Sequence, residues 1–454
     1  MGSRGRGRAG RAGRERRAGT EGSARRIRGV SPLYAFIGDD FTGSTDVLEQ
    51  LAEGGVPAVL FLRTPDAALR ARFPDARAIG IASDARSRSP EWMDAELPAM
   101  FAALGDAALV HYKTCSTFDS APQVGSIGRA LDIGVRTFGR PAAAIVVAAP
   151  HLGRYVAFAN LFAAAGAQVH RIDRHPTMSR HPVTPMHEAD LIRHLAAQTD
   201  ATIGHVPLDR IQSGEAEAAF DAVRGNDAVL FDGTTFADLA ATGAVLRSRC
   251  IRFAAGSSGV TRALVLAWQA AGIVNGKPAV TRAAEVDRLL VVSGSCSPVT
   301  ARQIARSAAD GFTAARADVP ALLEGSSAEE ARLADAALTA LAQGNRALIA
   351  SAEGPLDSNA PAAGAKLGQA LGRVTREVVR RAGLRRVLFA GGDTSSHGVA
   401  QLGIDALTWA APVERGAPLV RAHSADPAID GLELVLKGGQ MGGEDFFETV
   451  RKGG

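Results

Sequence analysis

The sequence predicts an α/β protein of two domains, each a largely parallel sheet flanked by helices. Short apolar runs end beside Gly, Asp, Ser or Thr and lead into helix-like patterns, an alternation typical of parallel sheets covered by helices. The 454 residues are 46% hydrophobic and 22% charged, which is an ordinary globular composition with room for two or three domains. Gly and Pro in residues 274–288 follow an Ala/Leu-rich helical pattern and mark the predicted domain boundary.

The positive charge of the chain is concentrated at its N-terminus. Residues 1–28 carry ten Arg against two Glu, so this segment is +8 and the rest of the +4 chain is −4. The Arg/Gly-rich tail at 1–30 lacks hydrophobic periodicity and is predicted to be disordered, as a cloning remnant or upstream sequence, with RNA or membrane contact as the weaker alternative. We therefore expect an N-terminal domain at 31–275 and a C-terminal domain at 286–454, neither of which binds nucleic acid.

Compartment and assembly are only partly predicted. No apolar run approaches the ~18–20 residues that cross a bilayer, and no apolar stretch follows the N-terminal charges as it would in a secretory signal. Cys115, Cys250 and Cys296 lie far apart without a CxxC pattern, which argues against a disulfide framework or a zinc site. The sequence predicts a cytoplasmic protein with no membrane partner, and a homodimer stays open.

Two adjacent carboxylates follow the first predicted strand, at residues 33–38. Asp39 and Asp40 stand before an amphipathic helix, where a carboxylate could hold polyol hydroxyls and position an attacking one as a catalytic base. Alternatively, Asp40 or Thr42 caps the helix. Because one carboxylate is enough for a cap, we expect the other to be free.

Further strands are predicted at 58–62, 78–82, 108–112, 144–148 and 228–231. The polar residues at their ends should converge on the same crevice as the two carboxylates.

Polar residues after two of these strands are candidates for substrate binding. An arginine can bind a substrate carboxylate through two parallel hydrogen bonds, and a lysine at a strand end can bind one as a point charge. The alternatives are a solvated surface lysine and a small buried cysteine. The candidates are Arg86, Arg88, Lys113, Thr114, Cys115 and Ser116.

A proline-rich segment at 171–186 contains His175 and His181. Prolines hinder helix formation, so an ordered extended excursion is expected here. The histidines could be zinc ligands or acid/base groups, but no partner has metal-site spacing. Shaping of a substrate loop is the preferred interpretation, and no protein-held metal is predicted.

Three turns in the second domain share one character. They occupy 293–297, 391–398 and 437–443, after strands predicted at 289–292, 387–390 and 432–436, and a further strand is predicted at 347–350. Glycines let a backbone approach an anion closely, while Ser and Thr add hydroxyl donors. None is a Walker A or a GxGxxG motif, and any one alone could be a tight connection. Together they predict a nucleotide-phosphate cradle.

These motifs resemble, in order, those of the four-carbon acid sugar kinase family. The matching segments are GDDFTGSTD at 38–46, KTCSTFDS at 113–120, HPVTPM at 181–186, VSGSCSP at 292–298, GGDTS at 391–395 and KGGQMGG at 437–443. The resemblance covers about residues 33–450. It implies a kinase of carbohydrate metabolism that uses ATP and Mg2+ to phosphorylate threonate, erythronate, 3-oxo-tetronate or a related acid sugar.

The resemblance also implies roles for the candidates. The carboxylates Asp39 and Asp40, one of the two arginines and residues 113–116 would contact the sugar. On the ATP, the resemblance implies contacts from the three C-terminal turns, namely Ser293 or Ser295, then Gly391, Gly392, Asp393 and Thr394, and finally Gly438 or Gly439. Residues 148–155 (AAPHLGRY) depart from the tetronate kinase pattern, and features near 125–128 and 173–176 look more like the branch acting on 3-oxo-isoapionate. The rival interpretations are a nicotinamide-dependent oxidoreductase acting on a small hydroxy acid and a non-catalytic binding protein for sugar acids.

Overall fold

The computed structural model describes Met1 and residues 31–139, 141–181, 183–276, 282–344, 346–351 and 361–454, without the side chains of residues 361, 362 and 393. The tail predicted at 1–30 lies almost wholly outside the described residues. Within the described part of the chain, no helix combines the length and the apolar character needed to cross a membrane.

The first half is built on eight parallel strands. Their spatial order is β2-β3-β1-β4-β11-β5-β10-β9, with helices packed on the sheet. The elements are β1 (Tyr34–Gly38), α1 (Phe41–Glu53), β2 (Ala58–Phe61), α2 (Ala67–Ala71), β3 (Ala78–Ala82), α3 (Pro90–Ala103), β4 (Val110–Lys113), α4 (Ile127–Phe138), β5 (Ala143–Val146), β6 (Arg154–Ala157), β7 (Asn160–Ala165), β8 (Gln168–Arg171), α5 (Leu191–Ala196), β9 (Ile203–Val206), α6 (Leu208–Gln212), α7 (Ala216–Val223), β10 (Ala228–Phe231), α8 (Phe236–Ser248), β11 (Phe253–Gly256) and α9 (Ser258–Ala270).

A small antiparallel sheet, β6-β7-β8, interrupts this half. Its first hairpin turns through Phe158 and Ala159, two non-glycine residues with positive φ. Such backbone is strained in residues that carry a Cβ. The buried carboxylate of Asp232 stabilises the turn by accepting hydrogen bonds from both backbone N–H groups, at 2.6 and 3.1 Å.

The second half continues the sheet. Strands β13, β14, β12, β15 and β18 are parallel neighbours in that order, and β17 and β16 follow antiparallel. The elements are β12 (Leu290–Ser293), α10 (Pro298–Ser307), β13 (Phe312–Arg316), α11 (Val319–Leu323), α12 (Ser327–Ala342), β14 (Arg346–Ala350), α13 (Pro361–Ala382), β15 (Arg386–Ala390), α14 (Gly392–Val399), β16 (Ile404–Glu414), β17 (Ala417–Ser424), β18 (Glu433–Lys437) and α15 (Phe446–Lys452).

The two halves are joined through their sheets. Strand β16 pairs antiparallel with β2, placing Ala406 opposite Phe61 and Leu407 opposite Leu60, so that a 15-stranded sheet runs through both halves. The largest apolar core also includes residues of both halves. The two predicted parallel sheets are therefore present, and an antiparallel hairpin connects them.

All ten predicted strands are present, with bounds that differ by two residues at most. Sequence reasoning missed β6 to β9, β11, β13, β16 and β17. The expectation of an extended excursion at 171–186 was wrong in part, because the segment contains two short 3-10 helices, Ile172–Arg174 and Met178–Arg180.

Candidate active site

The adjacent carboxylates lie where β1 ends and α1 begins. Asp40 caps the helix: one of its carboxylate oxygens accepts the Gly43 backbone N–H at 2.7 Å, and the other accepts the Thr42 hydroxyl at 2.8 Å. The capping prediction is thus confirmed. The other carboxylate, Asp39, takes no part in the cap and is 3% exposed.

Asp39 is not free, however, contrary to the prediction. Arg86, which follows β3, donates to it through Nε at 3.2 Å and Nη2 at 2.8 Å. The third nitrogen of the same guanidinium, Nη1, lies 2.8 Å from Asp40. Two carboxylates side by side in a buried position repel each other, and the arginine between them compensates that repulsion.

The electrostatics reflect this clamp. Burial raises the pKa of Asp39, against the opposing effect of Arg86, and the neighbouring Asp40 raises it further. Burial acts against the charge of Arg86, but the two carboxylates hold the pKa of its guanidinium well above its ordinary value. Arg86 therefore remains a cation, and all three of its nitrogens are occupied by the two acids.

Arg88 has a different environment. Its guanidinium lies 2.5 Å from the Asp84 carboxylate and packs 5.5 Å from the centre of the Trp92 ring. The side chain is 44% exposed at the rim of the crevice. Of the two predicted arginines, Arg88 is the one whose contacts leave nitrogens available to a ligand.

The predicted residues after β4 lie beside the carboxylates. Lys113 is buried, and its ammonium donates to the Thr114 carbonyl at 2.8 Å. A Cβ on Gly43 would stand 2.7 Å from that ammonium, so the lysine packs directly under the first turn of α1. Cys115 Sγ lies 2.9 Å from Thr117 Oγ1, and burial raises the pKa of its thiol, which fits the packing interpretation.

A strap from the proline-rich segment closes one side of the crevice. The Thr184 hydroxyl donates to the Asp119 carboxylate at 3.2 Å, while His181 Nδ1 accepts the Thr184 backbone N–H at 3.1 Å. Burial acts against ionisation of Asp119, but Arg86, His181 and the Thr117 hydroxyl together lower its pKa. His175 likewise accepts backbone N–H groups of its own loop. These contacts match the loop-shaping interpretation of both histidines.

These groups surround a cavity of about 220 Å³ that is lined by both halves of the chain. The sequence missed part of this lining. The residues concerned follow β3, lie between β4 and α4, belong to the proline-rich strap or lie on α13 and α14, where no local pattern shows which side chains face the cavity. The lining consists of Asp39, Asp40, Asp84, Arg86, Ser87, Arg88, Val124, Val183, Thr184, Ala365, Gly392, Ser396 and His397. Lys113, Thr114, Cys115 and Ser116 are adjacent to this space without lining it.

The three glycine-containing turns converge as predicted. They follow β12, β15 and β18, which are neighbours in the sheet. The Gly294 N–H donates to the Ala390 carbonyl at 3.1 Å, and the Gly391 N–H donates to the Lys437 carbonyl at 2.9 Å. The side chain of Asp393 lies outside the described part of the structure.

Glycine is required where these turns touch. A Cβ on Gly294 would lie 2.1 Å from Thr394 Oγ1, and one on Gly439 would lie 2.9 Å from Ser295 Oγ. Gly391, at φ +117, adopts a backbone conformation that other residues rarely reach. Among the described residues, the buried hydroxyl of Ser293 has no hydrogen-bond partner. A close-packed backbone surface with unused donors is suited to an oxyanion ligand.

We expect Gly294→Ala to reduce nucleotide affinity by about tenfold or more, because the methyl group would displace Thr394 and separate the two turns. Isothermal titration calorimetry with a non-hydrolysable ATP analogue measures the effect. Gly105→Ala is the control, because its nearest contact would be an ordinary 3.4 Å. Wild-type affinity in Gly294→Ala would contradict this packing.

Two family models match the two halves of the chain. The sugar-binding N-terminal domain matches residues 34–264, and the nucleotide-binding C-terminal domain matches residues 290–447. The 3-oxo-isoapionate kinase of Paraburkholderia graminis is 46% identical over 93% of this chain and 94% of its own length. The 3-oxo-tetronate kinase of Methylobacterium radiotolerans is 32% identical over 92% and 98%.

Solved structures agree with this assignment of the fold. A Salmonella typhimurium LT2 protein, crystallised under the name of a tRNA synthase, superposes with a TM-score of 0.74 at 26% identity, covering 92% of this chain and 98% of its own. A Haemophilus influenzae protein at 21% identity and a TM-score of 0.68 shares the fold. The curated relatives are kinases, so the oxidoreductase and binding-protein alternatives gain no support. This chain belongs to the four-carbon acid sugar kinase family.

Proposed function

We propose that this kinase uses Mg·ATP to phosphorylate 3-oxo-isoapionate, a branched acid sugar. The observation that carries the proposal is the 46% identity to a 3-oxo-isoapionate kinase, against 32% or less to the 3-oxo-tetronate kinases compared with it. The departure of residues 148–155 from the tetronate kinase pattern agrees with this choice of substrate.

Asp39 is the proposed catalytic base. Both oxygens of Asp40 accept hydrogen bonds that organise the start of α1, whereas among the described residues Arg86 is the one side-chain donor to Asp39. Each carboxylate oxygen can accept more than one hydrogen bond, so Asp39 can also receive a substrate hydroxyl. Burial raises its pKa, and a higher pKa makes a carboxylate a stronger proton acceptor.

Arg88 is the proposed anchor for the carboxylate of the acid sugar. Arg86, the other arginine candidate, is occupied by the two aspartates, while Arg88 at the cavity rim pairs with one acid of the described residues, Asp84. We expect Arg88→Gln to raise KM for the acid sugar by about tenfold or more and to leave KM for ATP within twofold, as measured by ADP release. An unchanged sugar KM would exclude this role.

The three C-terminal turns are the proposed site of the ATP phosphates. Magnesium is proposed to arrive as Mg·ATP, held chiefly by phosphate oxygens, because the carboxylates of Asp39 and Asp40 are already paired with Arg86. Bound there, it would neutralise charge on the transferred group.

The two halves are in contact beside the carboxylates, where the backbone N–H of Phe41 lies 3.5 Å from Ser396 Oγ on the nucleotide half. This closeness supports direct transfer between the halves with water excluded.

The substrate assignment is tested by ADP release against a panel of acid sugars. We expect kcat/KM for 3-oxo-isoapionate to exceed that for 3-oxo-tetronates and for threonate or erythronate by about 100-fold, since a buried polar site discriminates strongly against ligands that leave its groups unpaired. A preference for a tetronate would overturn the substrate while leaving the kinase activity intact. If none of these sugars stimulates ADP release, both the proposed substrate and the proposed kinase activity are overturned.

We expect Asp39→Asn to lower kcat by about 10²–10⁴-fold, because it removes the proton acceptor. In the wild type, kcat/KM should fall as the pH drops through the raised pKa of Asp39, at a higher pH than for an ordinary aspartate; the variant should lack this acid limb. Asp84→Asn removes another carboxylate of the same cavity and should keep the limb. An acid limb that persists in Asp39→Asn would assign the base elsewhere.

A further inference from the structure

The last residue of β18, Lys437, is a buried cation that contacts a hydroxyl and an aromatic ring. The residue is 0% exposed, its ammonium donates to Thr300 Oγ1 at 2.9 Å, and the ring of Phe446 lies 5.9 Å away. No carboxylate among the described residues forms an ion pair with it. A buried charge of this kind is costly, and burial lowers the pKa of the ammonium to about 7.

The hydrogen bond from Lys437 determines the direction of the next one. An ammonium only donates, so Thr300 Oγ1 must accept from it and direct its own proton to the Gly439 carbonyl, 3.0 Å away. In a planar trans peptide the carbonyl and the following N–H point in opposite directions. The inward Gly439 carbonyl therefore turns the N–H of Gln440 away from α10.

Gln303, one turn further along α10, acts on the rest of the same loop. Its amide nitrogen lies 2.9 Å from the Met441 carbonyl, 3.2 Å from that of Gly442 and 2.8 Å from that of Gly443. With these carbonyls drawn inward, the following N–H groups are turned outward. Within the described part of the chain, the N–H groups of Gln440, Gly442 and Gly443 donate no hydrogen bond. Between them, the Met441 N–H donates to the Gly438 carbonyl at 3.4 Å. The consecutive unpaired N–H groups of Gly442 and Gly443 are suited to form an anion-binding nest, and the N–H of Gln440 lies on the same turn.

We propose that Lys437, Thr300 and Gln303 are positioning residues that hold the 438–443 turn as an anion nest, with Lys437 as the buried charge that the ATP phosphates neutralise. The inference rests on the proposed use of the three turns for ATP. Phosphate oxygens would accept the outward N–H groups, and the negative charge above the turn would compensate the ammonium beneath it.

This arrangement couples ATP binding to a proton. Thr300 on α10 and Phe446 on α15 face the ammonium, and burial alone shifts its pKa, with no titratable side chain of the described residues contributing. A bound polyanion favours the charged lysine, so its pKa rises in the complex. ATP binding should therefore take up protons near pH 7, and affinity should weaken as the pH rises from about 6.5 to 8.5.

The test is calorimetry with a non-hydrolysable Mg·ATP analogue between pH 6.5 and 8.5, in buffers of different ionisation enthalpy. Titration of the nucleotide itself is common to all variants, so differences between variants report on the protein. Lys437→Met should weaken binding by about tenfold or more and lose the lysine-dependent proton uptake. Lys452→Met removes an exposed lysine of α15 and should change neither quantity.

Thr300→Val separates positioning from charge. It should weaken binding by about three- to tenfold while keeping the lysine-dependent proton uptake, shifted to lower pH because the ammonium loses its acceptor, and Thr300→Ser should restore affinity. This pair also tests the proposal if Lys437→Met fails to fold. Wild-type affinity in Thr300→Val, or unchanged proton uptake in a folded Lys437→Met, overturns the inference. A wild-type protein that binds no ATP would instead overturn the proposed function.

Discussion

The guanidinium of Arg86 is the group on which the acceptor half of the site depends. Asp39 and Asp40 are adjacent and buried, and two carboxylates so placed would otherwise favour protonation of one of them. Arg86 reaches both, and so lets one cap α1 and the other face the cavity. Removing one partner of such a buried cluster typically costs about 3–5 kcal/mol. The arginine is better understood as part of the proposed base than as a ligand for substrate.

A chain of hydrogen bonds between uncharged groups stabilises the strands beside this cluster. His111 Nε2 faces the Gly256 carbonyl at 3.0 Å, so that nitrogen carries the proton and Nδ1 accepts from the Tyr34 hydroxyl at 2.6 Å. Burial lowers the pKa of His111 to about 3, which keeps the imidazole neutral. The Gly256 carbonyl also accepts the Thr114 N–H at 2.7 Å. These hydrogen bonds thereby align the end of β11 with the end of β4, whose last residue is Lys113.

Much of this arrangement was predictable from the sequence because it is local. Asp40 caps the helix that directly follows it, and the three glycine-containing turns meet because parallel strands end at one edge of a sheet. The pairing of β16 with β2 was not predictable, since the identity of the free sheet edge is decided by the tertiary fold. The same holds for Arg86, whose partners lie 47 and 46 positions away, and for the strained turn at Phe158, which depends on distant Asp232.

The charge balance of the two halves explains which reactant each can accept. On the proposed acceptor side, the buried acids Asp39, Asp40 and Asp119 all lie in the field of the Arg86 cation. Charges of both signs are therefore present there, and an uncharged hydroxyl adds no further charge. Beneath the proposed phosphate-binding turns, Lys437 has no acidic counterpart among the described residues. A buried cation without a counter-charge lowers the stability of the protein when no nucleotide is bound. Binding of an anion compensates that cost. The asymmetry therefore favours a polyanionic donor in the second half and a neutral acceptor group in the first, as phosphoryl transfer requires.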